Sequence, residues 1–367
     1  MKKKIAVLCL AVAVAGAMLS GCGAQGEELS ETTNPKTENN DTHNNDTQNA
    51  DSAQTTELEG GDDTTASAVT VRVGAMSGPT SMGMVKLMED AAQNATVNTY
   101  EFAPLATEAT ALSAPLLKGE LDIAAVPSNL AANLYNKTEG GIEVLAVNNL
   151  GVLSVVERGE DVTELADLAG RTVYATGQGA VPEYTFRYLL SENGINPDSD
   201  LSIQWCSDTT EALAYVNADE EAIAVLPQPF VTAACAQVGD LRVAIDLNDE
   251  WDKLDNGCNI VTGVIVVRTE FAEEHPAEVA TFLKEYEASM EYTAQNPKEA
   301  VALIEQYGIV GKAAIAEKAL PGCHLNYMDG TDMRDALEGF LQVLYDQNPE
   351  FVGGSMPGDD FYVTVQP

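Results

Sequence analysis

The chain has 367 residues, and its 57 Asp and Glu against 19 Lys and Arg give a formal net charge of −38 at pH 7. Binding to a nucleic-acid backbone needs a basic face, so this charge disfavours nucleic acid as a partner. About 300 residues follow the polar N-terminal part, more than one core usually serves, which predicts two lobes.

The N-terminus has the pattern of a lipoprotein signal peptide over residues 1–21. Three lysines precede an apolar run, Ile5–Leu19, which is shorter than the roughly 20 apolar residues of a transmembrane helix. The run ends in Leu-Ser-Gly-Cys, which matches the bacterial lipobox and makes Cys22 the lipidated first residue of the mature protein. An ordinary cleaved signal followed by a chance cysteine is the alternative. The pattern predicts an extracytoplasmic, lipid-anchored protein.

Residues 22–68 are rich in Asn, Thr, Asp and Glu and hold almost no large apolar side chains. Such a segment cannot bury enough surface to offset the entropy of ordering. We therefore expect it to be an acidic, disordered tether between the membrane and the folded part of the chain.

From residue 69 onwards, strand-like and helix-like segments alternate. Short β-branched or apolar runs predict strands, and each is followed by a segment with helical periodicity. The strand runs, in chain order, are "TVRVGA", "VNTYEFAP", "LDIAAVP", "IEVLAVNNLGVLSVVER", "RTVYA", "LSIQWCS", "EAIAVLP", "LRVAIDL" and "NIVTGVIVVR". After the last of these the chain is mostly helical. This alternation predicts an α/β fold with mostly parallel sheets.

One unit occurs twice. Residues 119–130 read "GELDIAAVPSNL" and residues 219–230 read "DEEAIAVLPQPF". Each ends a strand with Pro and starts a helix, so we assign one to each lobe. Two long apolar strands, Leu150–Arg158 and Asn259–Arg268, bracket the second unit and are predicted to cross between the lobes.

Four segments have a strand, a tight turn and a helix start in that order. Their turns lie at residues 76–81, 127–129, 176–180 and 227–230. Ligands of open α/β sheets bind beyond the carboxyl ends of the strands, where helix N-termini present free N–H groups. The four turns therefore predict a cleft that holds a small polar molecule from two sides. A plain N-cap is the alternative for each turn taken alone. The candidate ligand-binding residues are Ser77, Gly78, Thr80, Ser81, Ser128, Asn129, Gly177, Gln178, Gly179, Ala180, Gln228 and Phe230.

Catalytic and metal-binding patterns have little support. The part of the chain after residue 68 contains only His275 and His324, and no catalytic triad or zinc spacing is recognisable. Glu183 and Arg187 have the spacing of a helical ion pair, although Glu183 could instead face a ligand. We predict no catalytic residue, no cofactor and no metal site. The remaining cysteines could form two disulfides or stay free: Cys206, Cys235, Cys258 and Cys323.

The order of "GAMSGPTSMGMVKLMED", "LLKGELDIAAVPSNLAANLY", "DLAGRTVYATGQGAVPEYTFRYLL" and "EAIAVLPQPFV" resembles solute-binding proteins of ATP-binding-cassette (ABC) importers. The similarity is to the nitrate/sulfonate/taurine and thiamine-pyrimidine (SsuA/THI5-like) branch, over about residues 70 to 350. The resemblance implies a two-lobed type II periplasmic-binding-protein fold with the crossover strands as a hinge. Lobe 1 would take 69–155 and 262–367, and lobe 2 would take 156–261.

This resemblance implies capture of a small solute, such as a sulfonate or a pyrimidine, and its delivery to an ABC permease in the membrane. Two alternatives stay open: an enzyme on the same fold that synthesises a pyrimidine precursor, and a sensory ligand-binding module. None of the four turns contains Arg or Lys. An anionic ligand would therefore depend on backbone N–H groups and helix dipoles, and a neutral or zwitterionic heterocycle is an equal candidate.

Overall fold

The computed structural model of the protein describes residues 69–363. The predicted signal peptide (1–21), the lipidation site Cys22 and the tether (22–68) lie outside these residues. Among the described helices, none combines the length and the apolar character needed to cross a membrane.

Two mixed sheets form the framework. The first has six strands and the second has five. In chain order the strands are β1 (Thr70–Gly74), β2 (Thr99–Phe102), β3 (Ile123–Pro127), β4 (Ile142–Asn149), β5 (Leu153–Arg158), β6 (Thr172–Ala175), β7 (Ser202–Trp205), β8 (Ile223–Pro227), β9 (Leu241–Asp246), β10 (Gly263–Arg268) and β11 (Leu325–Met328).

Helices cover the sheets, as the alternation of the sequence predicts. They are α1 (Pro79–Met82), α2 (Val85–Ala92), α3 (Thr110–Leu117), α4 (Ser128–Thr138), α5 (Val181–Glu192), α6 (Thr209–Ala218), α7 (Phe230–Gln237), α8 (Leu247–Asp252), α9 (Thr269–Glu274), α10 (Pro276–Gln295), α11 (Pro297–Gln306), α12 (Ala313–Ala319) and α13 (Gly330–Gln347). Short 3₁₀ helices lie at Leu165–Leu168, Leu320–Cys323, Pro349–Val352 and Asp359–Phe361.

Both sheets contain reversed strands. The strand orders are β11-β4-β10-β3-β1-β2 and β7-β6-β8-β5-β9. β10 pairs antiparallel with β3 and β4, β11 with β4, and β5 with β8 and β9. Most strands of each sheet run in one direction, as expected, but the reversed strands make five of the nine pairings among the described strands antiparallel, so both sheets are mixed.

The expected crossover strands are wrong in detail. β5 belongs wholly to the second sheet and β10 wholly to the first. The chain passes between the sheets in irregular segments, 150–152 and 253–262, directly before these strands. We call them the first and second crossover segments. In each predicted run, the first residues (150–152 and 259–262) are irregular, and only the residues after them pair with neighbouring strands, all within one sheet.

The repeated unit has the same place in both sheets. Pro127 at the end of β3 is opposite Gly263 at the start of β10, and Pro227 at the end of β8 is opposite Leu153 at the start of β5. The next residue donates its N–H to a crossover segment in each case: Ser128 to the Thr262 carbonyl at 3.0 Å and Gln228 to the Val152 carbonyl at 2.9 Å. The two copies are therefore equivalent joints.

The C-terminal helix α13 joins the two sheets' helices. It packs on β4 and α4 beside the first sheet and on α5 beside the second. Phe340 of α13 meets Trp251 of α8 edge to face, with ring centroids 5.6 Å apart, and both side chains are buried. The apolar core is thus continuous across the two sheets on this side.

Asp122 anchors the opposite end of the first sheet from the four turns. Its carboxylate is 1% exposed and accepts hydrogen bonds from Arg72 Nε at 2.8 Å, the Arg72 backbone N–H at 2.9 Å and Arg268 Nη2 at 3.2 Å. Burial by itself would raise the pKa of Asp122, but the hydrogen bonds from the two arginines outweigh burial and lower it. One side chain therefore ties β1, β3 and β10 together.

We expect Asp122→Asn to reduce the free energy of unfolding by about 3 kcal/mol at pH 7, because it leaves two arginines without their carboxylate. The folded pKa lies below the unfolded value of about 3.9, so this stabilisation is present above that pH and is lost as pH falls through the folded pKa. Urea unfolding at pH 7 and pH 3 measures both effects, and the difference between the variants should shrink at pH 3.

The control is Glu338→Gln, which removes an exposed ion-pair partner of Arg334 and should cost less than about 1 kcal/mol. An Asp122→Asn loss no larger than that of the control would contradict the anchoring role.

Candidate functional site

The first turn leaves β1 and enters α1. Ser77 is exposed and donates its N–H to the Ala106 carbonyl, while Gly78 has φ 101° and donates its N–H to the Ile309 carbonyl. Ser81 is fully buried and its hydroxyl donates to the Met76 carbonyl, so the turn itself uses this group. Thr80 is 7% exposed, and its Oγ1 has no hydrogen-bond partner among the described residues. The turn itself therefore uses neither the exposed Ser77 hydroxyl nor the buried Thr80 hydroxyl.

The second turn, at the start of α4, is built into the framework. Ser128 is fully buried and its hydroxyl donates to the Val261 carbonyl at 2.6 Å. Asn129 is half-buried, and its backbone carbonyl accepts from Asn133. The predicted binding side chain Ser128 is thus committed to the second crossover segment, and Asn129 carries whatever side-chain contact this turn can make.

The third turn contains two glycines in the left-handed region. Gly177 has φ 82° and Gly179 has φ 71°, conformations that favour glycine. Gln178 between them is exposed, and Ala180 is the N-cap of α5. The Glu183 carboxylate accepts the Gly179 N–H at 2.7 Å. Glu183 therefore closes its own turn.

The expected ion pair between Glu183 and Arg187 is wrong. Arg187 pairs with Asp198 in the loop after α5. The physical reason is that an acidic side chain in the first helical turn is stabilised by the free N–H groups and the helix dipole, which offer Glu183 a closer partner than an exposed guanidinium.

The fourth turn joins β8 to α7. Gln228 is 9% exposed, and its Oε1 accepts the Thr232 hydroxyl at 2.9 Å. Across from it lies Gly322, whose added Cβ would be 2.9 Å from Gln228 Nε2. Phe230 is half exposed at the first position of α7. The turn therefore places Gln228 beside the 3₁₀ helix Leu320–Cys323, and the Phe230 ring remains half exposed.

All four turns meet the crossover segments or the strand residues beside them. Ser128 and Gln228 bond to the segments directly, and Thr80 accepts a hydrogen bond at its carbonyl from Asn148 at the end of β4. The first turn of α5 lines a cavity of about 20 Å³, enough for one water. That cavity is bordered by Gly151, Val152, Leu153, Val181, Pro182, Thr185, Ile260 and Thr262.

Three further residues belong to this region but were not predicted from the sequence: Asn148, Asn149 and Thr185. All three are at most 1% exposed, and Asn148 Oδ1, Asn149 Oδ1 and Thr185 Oγ1 have no hydrogen-bond partner among the described residues. Buried polar groups are nearly always paired, so such atoms call for a partner. Two consecutive asparagines at the end of an apolar run were the available signal.

Neither histidine forms a catalytic arrangement. His275 lies between α9 and α10, beyond the end of β10 that is remote from the turns, with its ring 4.8 Å from that of Phe271. His324 is near the crossover, where its Nδ1–H donates to the Gly151 carbonyl. Cys206, Cys235, Cys258 and Cys323 are all free thiols. Between residues 69 and 363, no three His, Cys, Asp or Glu side chains are grouped closely enough to hold a metal ion.

Residues 133–300 match the family model described as NMT1/THI5 like. The matched residues cover the end of α4, all of the second sheet, both crossover segments and the reversed strand β10. A search of the curated proteins found no match.

Three solved structures are similar to this chain over most of their lengths. An ABC transporter protein from Parabacteroides distasonis is 24% identical, with 81% of this chain and 99% of that chain covered and a TM-score of 0.68. The periplasmic aliphatic sulphonate binding protein SsuA from Escherichia coli is 14% identical (80% and 95% covered, TM-score 0.60). A ligand-binding component of an ABC-type import system from Staphylococcus aureus, with zinc bound, is 17% identical (80% and 96%, 0.59). The fold is that of the periplasmic binding proteins.

We expect Gly263→Ala to destabilise the protein by roughly 1–3 kcal/mol, because the added Cβ would overlap both Asn148 Oδ1 and Asn149 Oδ1 and displace them. Thermal and urea unfolding measure the loss. The matched control is Gly239→Ala, where an added Cβ meets nothing within 4 Å and which should change stability by less than about 0.5 kcal/mol. Equal effects of the two substitutions would mean that the asparagines do not fill the space above Gly263.

Proposed function

We propose that the protein is an extracytoplasmic solute-binding protein that captures a small polar molecule between its two lobes and delivers it to an ABC permease for import. The observation that carries this proposal is the convergence of the four turns on the crossover segments. Each lobe contributes two helix N-termini to this region, and helix N-termini present unpaired N–H groups to a ligand.

The division into lobes that we propose is residues 69–155 with 262–367, and residues 156–261, with the first boundary moved to the crossover segment 150–152 because all of β5 lies in the second sheet. The periplasmic-binding-protein fold and the match of residues 133–300 to the NMT1/THI5-like model support a role in solute capture. The solute-binding role of the solved relatives is stated of those proteins, and we extend it to this chain as a hypothesis. No ligand is assigned by these likenesses, since all of them are under 25% identical.

The four turns supply different parts of the proposed site. Backbone N–H groups would come from Gly177 and Gln178, because those of Ser77, Gly78 and Gly179 already bind protein acceptors. Side-chain polar groups would come from Thr80, Asn129 and Gln178. Phe230 would supply a flat apolar surface, because its ring is 50% exposed while it stands next to the buried Gln228. Ser81 and Ser128 would act through the turn geometry that their hydroxyl groups maintain.

We expect ligand binding to make the protein more compact and more stable without chemical change to the ligand. A ligand at a hundred times its dissociation constant adds about 2.7 kcal/mol of stability. Solution scattering and a thermal-shift series with sulfonates, taurine, pyrimidines and amino acids test this directly. Binding without any change in radius of gyration, or turnover of the bound compound, would contradict the proposal.

Phe230→Ala is expected to weaken binding of whichever compound stabilises the wild type by about tenfold or more, since a stacked aromatic contributes roughly 1–3 kcal/mol to a flat ligand. The melting temperature without ligand should stay the same because the ring is half exposed. Val243→Ala is the matched control: Val243 is 44% exposed on β9, a strand of the same proposed lobe. Equal affinities of the two variants would remove Phe230 from the site.

We also propose that lipid on Cys22 holds the protein at the outer face of the membrane, with residues 22–68 as the tether. Cys22→Ser should release the protein from the membrane fraction without changing its affinity for ligand, because the lipid attaches through the thiol. Fractionation of cells, with metabolic labelling by a fatty acid, measures both. A Cys22→Ser protein that stays in the membrane fraction and still carries label would exclude Cys22 as the anchor.

A further inference from the structure

A β-bulge at the end of β4 turns two consecutive asparagines to the same side. Gly263 of β10 is opposite Asn149, and the next residue, Val264, is opposite Val147, so that Asn148 is the extra residue. Consecutive strand residues normally face opposite sides of a sheet, and a bulge changes this. An ideal Cβ on Gly263 would overlap both Asn148 Oδ1 and Asn149 Oδ1 and would lie 2.9 Å from Thr80 Cγ2. Both oxygens therefore border one point above Gly263.

Neither carbonyl oxygen at this point has a donor in hydrogen-bonding geometry within residues 69–363, and the buried Tyr286 hydroxyl beside the Asn148 side chain is unpaired as well. The asparagine Nδ2 groups donate elsewhere: that of Asn148 to the Thr80 carbonyl at 2.9 Å and that of Asn149 to the Leu150 carbonyl at 3.2 Å. The Oδ1 atoms of both residues, and Thr80 Oγ1, are buried and unpaired among the described residues. Leaving a buried acceptor unpaired costs about 1–3 kcal/mol. Two acceptors beside each other are a site for a hydrogen-bond donor.

The third turn also disfavours an anionic ligand. The Glu183 carboxylate occupies the Gly179 N–H at the start of α5, which is the position where an anion would otherwise bind. No Arg or Lys lies in any of the four turns. The turns therefore supply a negative carboxylate at the start of α5 and no positive side chain to offset an anionic ligand.

We propose that Asn148 and Asn149 are specificity-determining residues that bind an N–H group of the ligand (an amine, an amide or a ring N–H), with the Thr80 hydroxyl as a third contact. This assignment rests on the proposed solute-binding function and defines its ligand class. The ligand carries a nitrogen-bound hydrogen at the end that faces the first lobe, and a sulfonate without such a group is a poor ligand. Because the acceptors are screened from solvent here, the ligand reaches them when the lobes separate.

The test uses the purified full chain and matched probes that differ only in N–H groups: nicotinamide with N,N-dimethylnicotinamide, thymine with 1,3-dimethylthymine, and taurine with N,N,N-trimethyltaurine, together with ethanesulfonate. Calorimetry gives the affinities. The N–H member of a binding pair should bind at least tenfold more tightly than its methylated partner. Ethanesulfonate binding as tightly as the best N–H compound would overturn the proposal.

Two variants separate a ligand contact from a structural one. Asn149→Leu should remove the tenfold preference within the pair, whereas Asn149→Asp, which keeps an acceptor at the same place, should retain it. If Asn149→Leu does not fold, Thr80→Val takes its place, because it removes one unpaired hydroxyl at nearly constant volume. An unchanged preference in a folded Asn149→Leu or Thr80→Val protein would overturn the assignment.

A high-resolution crystal structure of the full chain decides the case in which no probe binds. A donor group of a co-purified molecule within hydrogen-bond distance of both Oδ1 atoms supports the proposal. A water alone at that point, or amide groups turned to pair with each other, overturns it. Solution scattering keeps the two hypotheses apart: compaction with donor-free ligands contradicts only the N–H assignment, and N–H-dependent binding without compaction contradicts only the transport function.

Discussion

The structure depends on a pair of equivalent backbone hydrogen bonds at the crossovers. Ser128 and Gln228, each directly after the proline that ends a central strand, donate their N–H groups to carbonyls of the chain segments that connect the sheets. The reversed strands β10 and β5 continue from these carbonyls into the sheets. The start of a helix and the segment that connects the sheets are therefore joined at one residue beside each sheet. We expect the lobes to turn about this layer while the layer itself keeps its bonds.

This joint also explains how far the sequence predicts the fold. The repeated "IAxxP" unit and the alternation of strands and helices predict two α/β sheets and the positions of all four turns. The sequence does not predict that the apolar run at 259–268 begins as an irregular segment. Ile260 and Val261 are β-branched like the valines of β10, but their backbone groups pair with none of the described strands. Which backbone groups face another strand is decided by tertiary pairing, not by local composition.

The structure forms the four predicted turns, but the sequence does not show which of their side chains the fold itself uses. A serine near the start of a helix is recognisable from sequence, but whether the fold or a ligand uses its hydroxyl is not. The Ser81 hydroxyl donates to the Met76 carbonyl, and the Ser128 hydroxyl donates to the Val261 carbonyl in the second crossover segment. Asn148 and Asn149 were missed for another reason. Period-two alternation puts neighbours on opposite faces, and only the register shift against Gly263 and Val264 brings them together.

The two equivalent joints differ in the residue of the reversed strand that lies opposite the proline. Opposite Pro127 the reversed strand starts with Gly263, which leaves room for two amide oxygens, whereas opposite Pro227 it starts with Leu153, which fills the same place with hydrocarbon. Phe230 adds an exposed ring on the Leu153 side. The repeated joint is thus bordered by polar amide groups in the first lobe and by an apolar side chain in the second. A ligand with N–H groups at one end and a flat apolar body at the other matches both, and it would bind in one orientation.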